Sequence, residues 1–358
     1  MKIAIITDTH AGCRNNSLVF NDYFLRFYEE IFFPYLEKNQ DIDTIIHIGD
    51  VFDNRKHIQL NILSNWREKI FERLEKLRKN VHIIVGNHDA HWKNSNEVNS
   101  PKELLSQYNW EVYEHPTTID FDNLSICFLP WINESNYIQS LKEIQDTKAQ
   151  VCMGHLAIQG FEMFAGHVAE SGLDRSIFGK FDLVFSGHFH HKSNEHNIHY
   201  LGSPYPMTWG DYGDPRGFHI FDTDTRELQF IENPIQIFHK VYYNDSDKSF
   251  ENITEEDYSH LTGMFVKIIV QKKENPYWYD LFLETIQKHD PADISIVDST
   301  YENDVEYSDE TGETKDTLTF LTDYVSELKL DSGEEELKQT LRDLYLEALD
   351  TNDQVQNS

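Results

Sequence analysis

The chain has 358 residues, 39% hydrophobic and 13% aromatic, which suits about two or three domains with full cores and excludes wholesale disorder. Lysine and arginine number 31 against 62 acidic residues, a formal charge of −31; this excludes nucleic acid held by a globally basic surface and argues against an anionic membrane. Cys13, Cys127 and Cys152 are too few and too scattered for a disulfide framework or a CxxC zinc site, and they point to a reducing compartment.

The opening MKIAIITDTH has one Lys and a short apolar run stopped by Asp8. It lacks the length and cleavage site of a signal peptide, and no later run approaches the roughly 20 apolar residues that span a bilayer. A soluble cytoplasmic protein with no membrane partner is expected. Ile3–Ile6, Thr44–Ile48 and Val81–Val85 are apolar and rich in β-branched residues, as in strands buried on both faces, and Val151–Met153 and Asp182–Phe185 are shorter versions. Phe20, Phe24, Phe27, Ile31 and Tyr35, then Ile58, Ile62, Trp66, Ile70, Leu74 and Leu77, recur at helical spacing. Strand alternating with helix predicts a sheet layered with helices. Trp110–Tyr113, Thr117–Phe121 and Leu124–Leu129 read as consecutive antiparallel strands with a tight Asp-Asn turn.

Beyond about residue 222 the character changes. Two strand-like runs, Phe265–Val270 and Ile294–Val297, flank a helix near Tyr279–His289, which predicts a small α+β domain over 223–300. Residues 301–316 are acidic and poor in large aliphatics, as in a solvated linker. Helical segments follow at Thr317–Leu330 and Glu334–Leu349, within 317–350, before a polar tail at 351–358. Charge follows these divisions: residues 1–100 hold 13 basic and 14 acidic side chains, residues 293–358 hold 4 and 19. The bulk acidity therefore describes the C-terminal part.

Five polar motifs stand where predicted strands end: Asp8-Thr9-His10, Gly49-Asp50, Gly86-Asn87-His88-Asp89, Gly154-His155 and Gly187-His188-Phe189-His190. Four have a glycine before the polar residue, which lets the chain turn sharply out of a sheet. Ligands of open α/β sheets bind beyond the carboxyl ends of the strands, so these ends would deliver their side chains to one crevice. Carboxylate, imidazole and amide oxygen together suit divalent manganese, iron or zinc. Asp8, His10, Asp50, Asn87, His155, His188 and His190 are too many for one ion and enough for two that share a carboxylate; paired metals clamp the attacking and leaving oxygens of phosphoryl transfer. Each motif alone is weak, and a lone histidine at a strand end is commonly a polar cap. The set in this order is specific. The remaining histidines, His47, His82 and His219 among them, read as surface or packing residues.

The pattern DxH, GDxxD, GNHD, GH, GHxH resembles the calcineurin-like metallophosphoesterase superfamily over residues 1–222. Gly49–Lys56, Gly202-Ser203-Pro204 and Asp214-Pro215-Arg216-Gly217-Phe218 are similar to the SbcD-type DNA repair nucleases, and to the nuclease subunits of T-even-like tailed phages above all. The resemblance implies an α/β fold, a layered sheet sandwich with helices on both sides, plus a small capping domain that handles DNA and C-terminal helices that bind an ATPase. It implies a homodimeric 3′-to-5′ exonuclease and single-strand endonuclease that hydrolyses DNA in recombination and repair beside an SbcC-type coiled-coil ATPase, in the host cytoplasm if phage-encoded. Two divalent ions are implied, manganese first and magnesium as the alternative. Asp8, His10, Asp50 and His190 would hold one; Asp50, Asn87, His155 and His188 would hold the other. His88 would sit by the scissile phosphate as general acid or transition-state stabiliser, close to Asp89. Asp53 stands where archaeal and eukaryotic relatives carry a histidine, and is expected to be a structural acid orienting the His88 loop.

The metal motifs serve many phosphoesters, so a stand-alone phosphoesterase acting on a small molecule or phosphoprotein competes with a DNA nuclease, and a scaffold with a dead site is a third reading. The charge balance mildly favours the small-molecule reading, although Arg67, Lys69, Arg73, Lys76, Arg78 and Lys79 crowd one predicted helix, as a DNA contact or a solvated face. The extra domain, linker and terminal helices favour the nuclease. Leu337, Leu341, Leu344 and Tyr345 stripe the last helix, which is expected to dock on the ATPase or to pack back on the catalytic domain.

Overall fold

Ile3 and Ile5 face one side of their strand, Ala4 and Ile6 the other, and all four are buried. The same division recurs at Ile45 against Ile46 and at Cys152 against Met153. Strands apolar on both faces need cover on both, and the fold supplies it as two stacked sheets with helices outside. The computed structural model describes residues 1–164, 167–246, 250, 251 and 256–298. The first sheet runs Leu228–Glu232, Gly217–Asp222, Lys2–Ile6, Ile42–His47, Asn80–Ile84, Glu111–Tyr113; the last four strands are parallel. The second runs Ser193–Glu195, Ile198–Tyr200, Leu183–Gly187, Val151–His155, Leu124–Leu129, Thr117–Phe121, with its four central strands parallel.

Ile3, Ile5, Ile46, Ile84, Phe128, Met153 and Phe185 form the apolar layer between the sheets. On the outer face of the first sheet lie two long helical stretches. Leu18–Phe27 continues through a π-helical turn, Tyr28–Phe32, into Phe33–Lys38; Leu60–Trp66 does the same through Arg67–Phe71 into Glu72–Lys76. The expected stripes Phe20, Phe24, Phe27 and Ile62, Trp66, Ile70, Leu74 are the buried sides of these stretches. The second sheet is covered outside by Tyr137–Asp146 through Ile144. The layered α/β arrangement expected from the alternation is present.

One expectation is corrected. Residues 111–113 do not join an antiparallel run with 117–121. They pair in parallel with Asn80–Ile84 in the first sheet, and only Thr117–Phe121 and Leu124–Leu129 are antiparallel, in the second. Three apolar-alternating residues look alike in either sheet, and the crossing at residues 114–116 has no sequence mark of its own.

The first sheet extends past residue 222, because Leu228–Glu232 returns antiparallel on Gly217–Asp222. Beyond it lies a separate three-stranded parallel sheet, Phe238–Asn244, Phe265–Lys272 and Asp293–Asp298. Its helix Pro276–Gln287 begins at Asn275, whose side chain accepts from the amides of Tyr277 and Trp278. Tyr243, Val266, Ile268, Val270, Phe282 and Ile286 are its core. Phe238 and Phe265 meet Phe20, with ring centroids 6.1 and 5.1 Å apart. Among the described residues no helix is long and apolar enough to cross a membrane. The linker at 301–316, the helices at 317–350 with Leu337, Leu341, Leu344 and Tyr345, and the tail at 351–358 lie outside the described residues.

Candidate active site

The loop after Lys2–Ile6 and the loop after Ile42–His47 are zipped together. Asp8 N donates to Gly49 O (3.0 Å), Thr9 N and His10 N to Asp50 O (3.0 and 3.1 Å), and Ala11 N to Val51 O (2.8 Å). This pairing holds Asp8, His10 and Asp50 in left-handed backbone, at φ 53°, 44° and 56°, and His188 lies at φ 88°. Non-glycine residues in that region carry about 1–3 kcal/mol of strain each and cluster at functional sites. The glycines have two uses. Gly49, at φ 93°, makes a turn that side chains resist. Gly86 and Gly187 have no room for a Cβ: at Gly86 it would strike Asp50, and at Gly187 it would strike Thr7 and press on Asp8.

Around these loops the expected residues come together. Donor atoms of Asp8, His10 and His190 lie within 4.8 Å of one another, as do those of Asp8, Asp50 and His155, and those of His10, Asp50 and His88. His155 Nε2 is 3.2 Å from Asp50 Oδ2 and 2.9 Å from Asn87 Oδ1, and His188 Nδ1 is 2.8 Å from the same amide oxygen. His10 Nε2 faces His190 Nε2 at 3.1 Å and Asp50 Oδ2 at 3.7 Å. The outer nitrogens are engaged: His155 Nδ1 with the carbonyl of Ile48 (2.8 Å), His10 Nδ1 with Asp53 Oδ1 (3.1 Å). Each leaves its Nε2 turned to the centre. Backbone amides steady the carboxylates, His88 N on Asp50 Oδ1 (2.7 Å) and His188 N on both oxygens of Asp8 (3.1 and 3.2 Å).

The site attracts positive charge. Burial alone would raise the Asp50 carboxyl, but the charges of His155 and His88 outweigh it and hold it well below the usual range. Burial raises Asp8. Burial would lower His10 and His155, yet the hydrogen bond to Asp53 at His10 and the charge of Asp50 at His155 push both up to about 9. Burial and the charge of His155 take His188 down to about 3, and burial with the charge of His10 takes His190 well below its ordinary value. Carboxylate and amide oxygens and imidazole nitrogens converge here, the imidazoles ligating once a cation displaces their protons, and they form the donor set of a borderline-hard divalent cation, so the residues fit a metal centre.

His88 Nδ1 is 2.5 Å from the carbonyl of Asp53. Asp53 thus touches both His88, through its backbone, and His10, through its side chain. Asp89 is fully buried, and its carboxylate accepts from Gly86 N (3.0 Å) and Phe52 N (3.1 Å). It ties the loop after Asn80–Ile84 to the Asp50 loop, and burial raises it to about 6. These contacts make it a clamp between two loops.

Several residues of the site lack a signal in the sequence. Thr7 Oγ1 donates to Asp8 Oδ2 (2.7 Å). His47, read as a packing residue, is buried with Nε2 2.9 Å from Thr9 Oγ1, directly behind the Asp8 and His10 loop. Arg216 is buried with ion pairs of 2.8 Å to Asp211 and Asp214, and it donates to the carbonyl of His190. Its motif drew notice through resemblance, but a buried arginine looks like any other in a sequence. Trp131 lies beside the site, its ring centroid 5.0 Å from that of His188.

A profile of the family described as calcineurin-like phosphoesterase matches residues 1–192. Exonuclease subunit 1 of Enterobacteria phage T4 is 35% identical over 315 residues, 87% of this chain and 89% of that protein. Among solved structures, a novel archaeal phosphodiesterase is 17% identical with a TM-score of 0.33, over 65% of this chain and all of that one. A protein of Thermus thermophilus is 14% identical with a TM-score of 0.36, over 64% of this chain and 98% of that one. With its metal-suited donors at the strand ends, the family profile over residues 1–192 and the 35% identity to the phage T4 subunit over 87% of its length, the chain belongs to the calcineurin-like phosphoesterase family of enzymes.

Proposed function

We propose that this chain is the nuclease subunit of a DNA-processing complex that hydrolyses DNA phosphodiesters with two divalent ions. The observation that carries the reading is the convergence of seven donors on Asp50 and its neighbours. The 35% identity to a protein named as an exonuclease subunit favours DNA over a small phosphate ester. Asp8, His10, Asp50 and His190 would hold one ion and Asp50, Asn87, His155 and His188 the other, manganese first and magnesium as the alternative. When bound, such ions supply Lewis acidity that activates water at neutral pH and offsets charge on the phosphate.

The chain's own residues then do the rest. Asp53 and the carbonyl of Ile48 keep the Nε2 atoms of His10 and His155 turned inward. His88 donates its Nδ1 proton to the carbonyl of Asp53, which leaves Nε2 to give or take a proton at a phosphate oxygen. Asp89 and Arg216 position the loops and stay off the substrate. An SbcC-type coiled-coil ATPase bound by residues 317–350, a DNA-handling role for the three-stranded domain, a homodimer, 3′-to-5′ polarity and a place in the cytoplasm belong to the same proposal; the resemblance supports them. Incubation of the purified chain with labelled single-stranded and duplex DNA and manganese tests it. DNA degradation is expected, and hydrolysis of a chromogenic phosphate ester with DNA left intact would replace the reading with the stand-alone phosphoesterase.

A further inference from the structure

The backbone of Trp131 is anchored in the wall of the site on both its amide and its carbonyl. Its amide donates to Val85 O (2.8 Å), in the loop that leads to Asn87. Its carbonyl accepts from the side chains of both Asn96 (2.8 Å) and Asn136 (2.9 Å). Asn133 closes the bracket by donating to Asn96 Oδ1 (2.8 Å), and Ser135 N reaches Asn94 O (3.2 Å). The segment is thus lashed to the hairpin Ala90–Trp92/Ser95–Asn99 that follows the His88 loop. The indole is partly exposed, tilted 45° against His188 with centroids 5.0 Å apart and lying 6.2 Å from His155. Among the described residues its indole nitrogen has no hydrogen-bond partner. A buried tryptophan commonly finds one, and the amphipathic ring otherwise suits an interface.

We propose that Trp131 is the stacking surface for an unpaired nucleobase next to the phosphodiester in the site. The inference rests on the DNA-nuclease reading and specifies its substrate as a single strand with its bases exposed. Base-on-aromatic stacking serves single strands of any sequence, because every base has a π face. It also adds affinity without positive charge. A side chain that merely supported His188 would do so equally for any phosphodiester, with or without a base.

The test uses the full chain, wild type and Trp131→Ala, Trp131→Phe and Trp131→Leu. The probes are a single-stranded oligonucleotide and an abasic strand of the same length. Affinity is read by fluorescence anisotropy in EDTA, and KM and kcat with manganese. Stacking predicts that wild type prefers the base-bearing strand and that Trp131→Ala shrinks this preference by about 5- to 100-fold. Trp131→Phe should restore most of it. If Trp131→Ala fails to fold, Trp131→Leu, which fills the space without a π face, carries the comparison. Equal loss of affinity for both strands, or no preference in wild type, overturns the proposal. A wild type that hydrolyses a chromogenic diester and neither strand would overturn the nuclease reading, and this inference with it.

Discussion

Arg216→Met should loosen the His190 side of the metal centre and destabilise the fold together. The arginine is 2% exposed. One guanidinium nitrogen pairs with Asp211 Oδ1 and Asp214 Oδ2, both at 2.8 Å; the other donates to Ser203 Oγ (2.7 Å) and to the carbonyl of His190. Removing one partner of a buried pair typically costs about 3–5 kcal/mol, because the remaining charge is stranded. Here the stranded acids keep other partners: Asp211 accepts from the amides of Met207 and Thr208, and Asp214 from His191. The lower end, about 3 kcal/mol, is therefore expected, a fall in Tm of about 5–10 °C. The carbonyl of His190 would keep only the Ser203 amide at 3.1 Å. Loss of such an outer support commonly weakens metal binding about 10- to 100-fold. Arg216→Lys should rescue little, since an ammonium cannot span four acceptors as a planar fork does. Differential scanning calorimetry and manganese titration calorimetry read the two effects. A variant that melts within about 2 °C of wild type and binds manganese normally would refute this role for the clamp.

Asp50→Ala should lose both metals, whereas His88→Ala should keep them and lose about 100- to 1,000-fold in rate; elemental analysis decides, and a metal-free His88→Ala would make His88 a ligand. Gly86→Ala should drive a methyl group onto Asp50, costing about 1–3 kcal/mol by overpacking and disrupting metal uptake; normal stability and normal metal content would contradict the tight approach. His219 is held down to about 3, chiefly by burial and then by the charge of Lys192. Below its ordinary value of 6.5 the unfolded chain takes up a proton that the folded chain refuses, so stability falls as pH drops from about 6.5 toward about 3, by about 1.4 kcal/mol at about pH 5.5. His219→Gln should therefore shrink the loss of Tm between about pH 7.5 and about pH 5.5, and an unchanged loss would assign the acid sensitivity elsewhere. A chain ending near Tyr301 should keep manganese-dependent nuclease activity and fail to co-purify with the proposed ATPase partner; retained binding would defeat the docking role proposed for Leu337, Leu341, Leu344 and Tyr345.

The sequence announced the strands whose two faces are both covered, because continuous apolar runs such as Ile3–Ile6 have few other uses. It announced the residues that gather at the candidate site because the motifs carrying them follow such runs. Glu111–Tyr113 and Phe238–Asn244 were illegible for opposite reasons. The first is too short to choose a sheet. The second, FHKVYYN, has Phe238 and Tyr243 buried and Tyr242 exposed, a mixture that matches no simple alternation. The glycines before Asn87 and His188 were legible as a pattern with an incomplete cause, since crowding is a property of the folded neighbours. His47 acts on Thr9 and Arg216 on His190, contacts between residues distant in the chain that no spacing within their own segments marks.

The central claim is that a metal centre built on Asp50 hydrolyses DNA. The most direct measurement is the release of nucleotides from an end-labelled single strand by the purified chain, with and without manganese, beside Asp50→Ala and a chromogenic phosphodiester. Manganese-dependent degradation by the wild type and none by Asp50→Ala is the expected result. Turnover of the chromogenic ester with the DNA strand intact, or degradation that persists in Asp50→Ala, would contradict it.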